Sequence, residues 1–465
     1  MAEQESALNL SAAETKPAAF SLLLFALSLI VFLINVDYTA VNLALPTMAD
    51  DLHTSLNTIQ WVLTAYVLTW ALLIFPCGGL SAKFTTKQLC ITGLSLFIVA
   101  SALATFAFSS HMLIAARILQ GLSAAIYGPA VYGLIHCYVP EQARGRAMGI
   151  LSLGVGLGLA VGPFIGGSLL TLWSWRAIFL INLPIGLAAL YVIFKQQDTQ
   201  QPSTTSLSLS KSSIFLIGFA TLSLIYIVNQ YQAWQQHAGL YIGWAILAIV
   251  ALISFVFLQQ KIANPLIPLS LFKNRKYAAC CVGIFFEQAG FSIIVVATSL
   301  YLQNTLHYSP LISSLIFLFL TVIFGVIALI GGRWVDQQGL VLPTISGMLL
   351  MAAGSLLFAG VAVSSYSLLV CPILFVLGVG MGLAFIGLNS GVVKTVSQGH
   401  IGIATSVFMV LALIANSFAI TFTTLFYQHA NIASKFNGIS QVMLLNTVLS
   451  LLAVWFFWRL SAKKA

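Results

Sequence analysis

The 465-residue sequence predicts an all-α membrane protein of fourteen transmembrane helices, on three observations. Hydrophobic residues make up 60% of the chain and charged residues 6%, against about 25% charged in soluble domains. No soluble fold could hide that much apolar surface. The apolar residues gather into runs near the roughly 20 residues that a helix needs to cross a bilayer. Lys and Arg fall almost entirely in the segments on one side of the spans, as the positive-inside rule requires.

Breaks at polar or Pro/Gly clusters set the elements in order. A tail (1–18) precedes six spans at about 19–44, 60–80, 88–108, 111–136, 146–171 and 177–194. A linker rich in Gln, Ser and Thr (195–211) leads to two more spans, about 213–230 and 239–259, within 212–260. A loop (261–276) follows, then six spans at about 277–303, 310–333, 340–363, 367–393, 402–427 and 439–459, and a short tail (460–465). With the N-terminus in the cytoplasm, sixteen of the nineteen Lys and Arg lie inside, Arg176 and Lys435 lie outside and Arg117 is within a span. That bias fixes an even number of spans and puts both termini in the cytoplasm, in a multi-pass protein of the cell (inner) membrane. The tail lacks a basic n-region, so an uncleaved first span is expected rather than a signal peptide.

Composition also excludes classes. The net charge of +9 is scattered through short loops and sets topology, so no nucleic acid partner is expected. The six cysteines lie in or beside apolar runs, without CxxC or Cys/His zinc spacing, so neither structural disulfides nor a metal site is expected. No GxSxG, HExxH or Walker A sequence occurs, which argues against an enzyme, an ATP-driven pump or a bound cofactor. Gly156-Leu157-Gly158 resembles part of a dinucleotide fingerprint, but no strand precedes it. With no soluble domain on either side, function is expected among the helices, with the lipid bilayer as a constant partner.

Two of the ten acidic residues sit inside apolar runs, Asp37 and Glu287. A carboxylate in hydrocarbon is costly and usually marks an ion or proton path. Asp37 lies about 10 Å from the outer end of the first span at 1.5 Å per residue. Arg117, in the fourth span, lies at nearly the same depth. Pairing lowers the cost of burying either charge, and two readings stay open: a static ion pair, or a switch in which protonation of Asp37 frees Arg117. Glu287 lies ten residues into the ninth span, nearer the midplane, with no Lys or Arg in the second half's spans to pair with it. A carboxyl buried without a cation favours its neutral form. It is either a group that takes up and releases protons or a permanently protonated acid hydrogen-bonded in the bundle.

Gly154, Gly158, Gly162 and Gly166 repeat every fourth residue in the fifth span, joined by Gly156, Pro163 and Gly167. One helix face is thus bare backbone that lets another helix approach closely. Pro163 is a point of bending. A slippery hinge and tight static packing both fit. The segments Gly78–Lys87, with Lys83, and Gly332–Gly339, with Arg333 and Asp336, occupy matched loops. The offset that carries Ala82 to Asp336 carries Asp37 to position 291, one helical turn from Glu287. Two related halves around a central site is the plan of many secondary transporters. Tyr38, Phe285, Phe286 and Phe291 lie near the depth of the two acids, where they either line an apolar cavity or pack against neighbours and lipid.

These stretches resemble the major facilitator superfamily, and within it the 14-span drug/proton antiporter family. Asp37–Pro46 resembles that family's first-helix motif, Gly78–Lys87 its loop motif, Arg117–Gly121 its fourth-helix motif and Gly154–Gly167 its antiporter motif. Trp175–Gly186 and Pro265–Arg275 are similar to two narrower signatures. The resemblance implies the major facilitator fold: an N-terminal six-helix bundle (19–194), a C-terminal six-helix bundle (277–459) and two extra helices between them, working by alternating access. The loop motif's Asp, thought to latch the cytoplasmic side, is Ala82 here and its Gly is Thr85, leaving Asp336 as the remaining latch. The expected function is proton-coupled export of small lipophilic or amphipathic substrates, with protons entering by Asp37 and Glu287. The alternative is a dedicated exporter of an endogenous metabolite such as a siderophore. A double-membraned host would add a periplasmic adaptor and outer-membrane duct as partners, although nothing in the sequence shows them.

Overall fold

The computed structural model describes residues 17–196, 210–229, 238–262, 265–308, 310–364, 369–433 and 438–462. Most of the expected N-terminal tail (1–18), the interior of the 195–211 linker and residues 463–465 lie outside them.

Among the described residues the long elements are fourteen helices. They are α1 (Pro17–Asp51), α2 (Trp61–Gly79), α3 (Thr86–Thr105), α4 (Ser110–Tyr138), α5 (Arg144–Leu172), α6 (Asn182–Lys195), α7 (Lys211–Asn229) and α8 (Ala238–Lys261). Then come α9 (Arg275–Leu300), α10 (Pro310–Gln338), α11 (Val341–Ser364), α12 (Val370–Thr395), α13 (Ile401–Ala433) and α14 (Gly438–Ala462). Among the described residues thirteen spans are long and apolar enough to cross a membrane. The seventh helix is the short one, with its apolar stretch at Ser212–Leu224. In hydrocarbon a helix is the form that satisfies every backbone group within one segment, which is why uniformly apolar runs become helices. Polar caps mark their starts: Thr85 and Gln88 form a capping box on α3, Ser109 accepts from the Met112 N–H on α4, and Asn274 accepts from Lys276 and Tyr277 on α9.

The end at which α1 begins is the near end; Asp51 lies at the far end. The helix α1 runs seven residues past the expected boundary at 44, through Pro46. Its far end is held from outside the helix. Asp51 accepts from Arg176 Nη1 (2.6 Å) and Trp175 Nε1 (3.0 Å), and Arg176 Nη2 donates to the Ala107 carbonyl (3.0 Å).

Helices α1–α6 form one bundle and α9–α14 the other, and the packing pattern repeats. In the first, α1 packs on α5 and α6, α4 on α2 and α3, and α3 on α6; in the second, α9 packs on α13 and α14, α12 on α10 and α11, and α11 on α14. The bundles meet along two seams, α5 with α10 and α2 with α13. The extra pair packs on itself, and α7 touches both α2 and α13, so it bridges the second seam.

Candidate functional site

The glycine face of α5 brings α1 into place. A side chain at Gly154, Gly158, Gly162 or Gly166 would strike Ser28, Phe32, Thr39 or Ala40 of α1 in turn. Backbone contact along four turns is what bare glycine permits. Gly156, on another face, meets Thr321 and Gly325 of α10 across the seam, so α5 is gripped on two sides.

This packing turns Asp37 into its own bundle, where it is 1% exposed and Arg117 is 0% exposed. Arg117 Nη1 donates to Asp37 Oδ2 (2.5 Å) and to Gln120 Oε1 (2.7 Å). Its Nε donates to the Val62 carbonyl (3.0 Å), and the guanidinium lies 4.4 Å from the Tyr66 ring centroid. Gln120 Nε2 donates to Ser101 Oγ (2.9 Å), and Asn182 Nδ2 donates to Asp37 Oδ1 (3.0 Å) and, at 3.4 Å, to Ser101 Oγ. The result is a closed polar ring, Asp37–Arg117–Gln120–Ser101–Asn182, that ties together α1, α3, α4 and α6, with α2 added through Val62. Inside hydrocarbon such a network is high-stakes, because each member left unpaired carries its full desolvation cost. Within it, Arg117 Nη2 and Asn182 Oδ1 have no hydrogen-bond partner.

Sequence reasoning assigned no role to Asn182, Ser101, Gln120 or Tyr66. Asn182 and Gln120 stand inside quoted motifs and could have been found as polar side chains in apolar spans. Ser101 carries no such signal, since a lone Ser is common in membrane helices.

Glu287 is 1% exposed. Its Oε2 accepts from Gln288 Nε2 (2.9 Å) and its Oε1 has no hydrogen-bond partner. No salt bridge to it occurs among the described residues. The two acids are therefore not brought together: each sits inside its own bundle.

The aromatics disperse. Tyr38 is 42% exposed, in line with exposed Asn42 and Pro46 one and two turns on. Phe286 stacks on Phe456 of α14 with Phe285 edge-on to it, and Phe291 packs edge-on against Phe324 of α10.

At the near end the seams differ. On α5/α10, Asp336 Oδ1 and Oδ2 accept the Gly145 and Arg146 backbone N–H groups (both 2.7 Å), capping the N-terminus of α5 from the opposite bundle, and Lys394 Nζ pairs with Oδ1 (2.7 Å). Beside it Tyr132 donates to Asn389 Oδ1 (2.7 Å), and the His136 ring lies 3.0 Å from the Val393 carbonyl. On α2/α13, where Ala82 replaces the motif Asp, Gly78 and Gly402 meet backbone to backbone, with Ser406 and Ser81 against them. Lys83 and Arg333 are exposed, and Lys87 donates to the Gln196 carbonyl.

Comparison with known proteins places this architecture. The chain is 28% identical to the multidrug transporter protein MdtP of Bacillus subtilis (strain 168), over 88% of this chain and 75% of that one. It is 30% identical to the tetracenomycin C resistance and export protein of Streptomyces glaucescens, over 82% and 71%. The structure of the proton:xylose symporter XylE superposes with a TM-score of 0.67 at 14% identity, covering 95% of this chain and 96% of that one. The profile of the Major Facilitator Superfamily matches residues 27–420 and 280–465, and the chain belongs to that superfamily.

Proposed function

We propose that the chain is a proton-coupled antiporter of the 14-span drug/proton type, exporting small lipophilic or amphipathic compounds by alternating access. In this reading the near end, both termini and the linker are cytoplasmic, and the membrane is the cell (inner) membrane. One observation carries it: each bundle holds one acid withdrawn from water, Asp37 in a ring of hydrogen bonds and Glu287 with no cationic partner among the described residues. Carboxyl groups so placed are retained at a cost that proton handling explains. A proton on Asp37 removes the charge that holds Arg117, and the ring joining five helices loosens with it. Asp336 on the N-terminus of α5 keeps the cytoplasmic side shut between cycles. The glycine face of α5 lets α1 and α10 shift as the bundles rock. The accessible face at Tyr38 is where an apolar substrate would meet the Asp37 helix.

Support for export comes from the relatives, whose names describe multidrug transport and tetracenomycin C resistance and export. The test is substrate-driven proton flux in proteoliposomes, using ethidium as a lipophilic probe. Asp37→Asn and Glu287→Gln should each reduce coupled flux at least tenfold; unchanged flux in both rejects the mechanism. A second reading, a dedicated metabolite exporter, is favoured by a relative named for a single compound. A deletion strain that is drug-sensitive but secretes an unaltered set of metabolites rules that version out.

A further inference from the structure

The acid of the second bundle lacks an arginine, and the structure points to what stands in its place. Gly283, Glu287 and Gly290 share one face of α9, being three and four residues apart. Side chains at the two glycines would meet Leu388, Met348 and Phe457 at one position, and Met351 and Asn446 at the other. Glu287 therefore faces the interior of its bundle, toward α11 and α14, with Asn446 one turn away. Asn446 is 0% exposed. Its Nδ2 donates to Ser355 Oγ (2.8 Å) and its Oδ1, set against the bare backbone of Gly290, has no hydrogen-bond partner. Two buried acceptor oxygens, Glu287 Oε1 and Asn446 Oδ1, thus stand without a donor on one face. Buried polar groups rarely remain so.

A primary amide presents its oxygen and nitrogen in nearly the same outline. Turned over, the Asn446 oxygen takes the Ser355 hydroxyl and its N–H₂ points toward α9. The first bundle shows the same arrangement already made. Its helices α1 and α6 correspond to α9 and α14 in the repeated packing, and Asn182 donates to Asp37 across that pair. Asn182 is the seventh residue of a helical unit that starts at Arg176, and Asn446 is the ninth of α14.

We propose that Asn446 is the positioning residue for Glu287, donating its side-chain N–H to Oε1 as Asn182 does to Asp37, with Ser355 fixing the amide. This deepens, and rests on, the reading of Glu287 as a proton-carrying acid.

Charged or titratable neighbours do not offer the same service. Arg459 on α14 lies about eight to nine residues along its helix from the level of Glu287, about 12 Å, and Lys394 and Cys371 on α12 and Tyr427 on α13 lie ten or more residues away, about 15 Å or more. On α10, Arg333 is exposed and Asp336 is bound to α5 and Lys394. No titratable residue stands on α11. On α9 itself, Cys280 faces Gly391 of α12, and Cys281 is six residues from Glu287, on another side of the helix.

The experiment is ethidium transport by the full chain in proteoliposomes, measured from pH 5 to 9. Glu287→Gln should flatten the pH dependence of that step. Asn446→Leu should move the pH of half-maximal transport upward by about one unit, the worth of one hydrogen bond to an ionised group, while leaving the maximal rate within about twofold. Asn446→Asp, which keeps the shape and replaces the donor by a second carboxyl, should move it further in the same direction. Glu287→Gln/Asn446→Leu should match Glu287→Gln alone. An unmoved midpoint in folded Asn446→Asp, with Glu287→Gln still flattening the profile, overturns the pairing and leaves the reading of Glu287 standing. A profile unchanged by Glu287→Gln removes that reading and the pairing with it.

Discussion

At the residue scale, the energetics of the first bundle turn on Asp37 and Arg117. Removing one partner of a buried pair leaves an uncompensated charge and costs about 3–5 kcal/mol. Arg117→Leu should therefore lower thermal stability sharply, whereas Asp37→Asn/Arg117→Gln should recover part of that loss. Thermal melts of the detergent-purified parent, Asp37→Asn, Arg117→Gln and the double variant, with Arg117→Leu beside them, would check it, and strict additivity across the cycle would contradict the ring. A second, exposed pair behaves differently. Hydrogen bonds from Arg176 and then Trp175 hold the Asp51 carboxyl below the usual carboxylate range. A depressed acid contributes stability above its unfolded value near 3.9 and loses it as pH falls through the lower folded value. Solvent screening keeps that contribution to about 0–1 kcal/mol. Arg176→Gln should narrow the stability difference between pH 5 and pH 3, read by the same melts. The charged members of the first site were legible in the sequence, since an ion in an apolar run stands out. Ser101 was not, because a lone Ser is common in membrane helices and the direction of its side chain depends on packing.

At the element scale, the spans could be read because membrane helices are apolar on every side and need no periodic pattern. Their ends could not. The helix α1 continues to Asp51 because Arg176 and Trp175, distant in sequence, hold its last turn, and Pro46 gives up a single backbone donor without breaking the helix. The glycine face was legible as a face, but its partner α1 was not. Gly158→Val should cost about 1–3 kcal/mol or more by overpacking, since its side chain would meet the Phe32 carbonyl at 2.6 Å. Gly243→Ala on α8, where nothing lies within 4 Å, should be neutral or stabilising by up to about 1 kcal/mol. Folded yield by fluorescence size-exclusion separates the two.

At the scale of the whole molecule, the repeated packing of the halves was foreshadowed by one offset shared by two pairs of positions, and the bridging of a seam by α7 had no sequence signal. The near-end closure is unequal on its two flanks. Asp336→Ala removes two charge-assisted hydrogen bonds across the seam, each worth about 1.5–3 kcal/mol, so opening at that end should become at least tenfold more populated. Spin labels at Glu141 and Gln337, both exposed, should report a longer distance in the variant. An identical distance distribution would show that the contact does not hold the bundles. The inequality has a further consequence. Dissolved salt weakens the attraction between the Asp336 charge and the N-terminus of α5 across the seam, but it has nothing to act on where Gly78 lies against Gly402. In concentrated electrolyte the two halves would part like the covers of a book, swinging about a spine of glycine and serine.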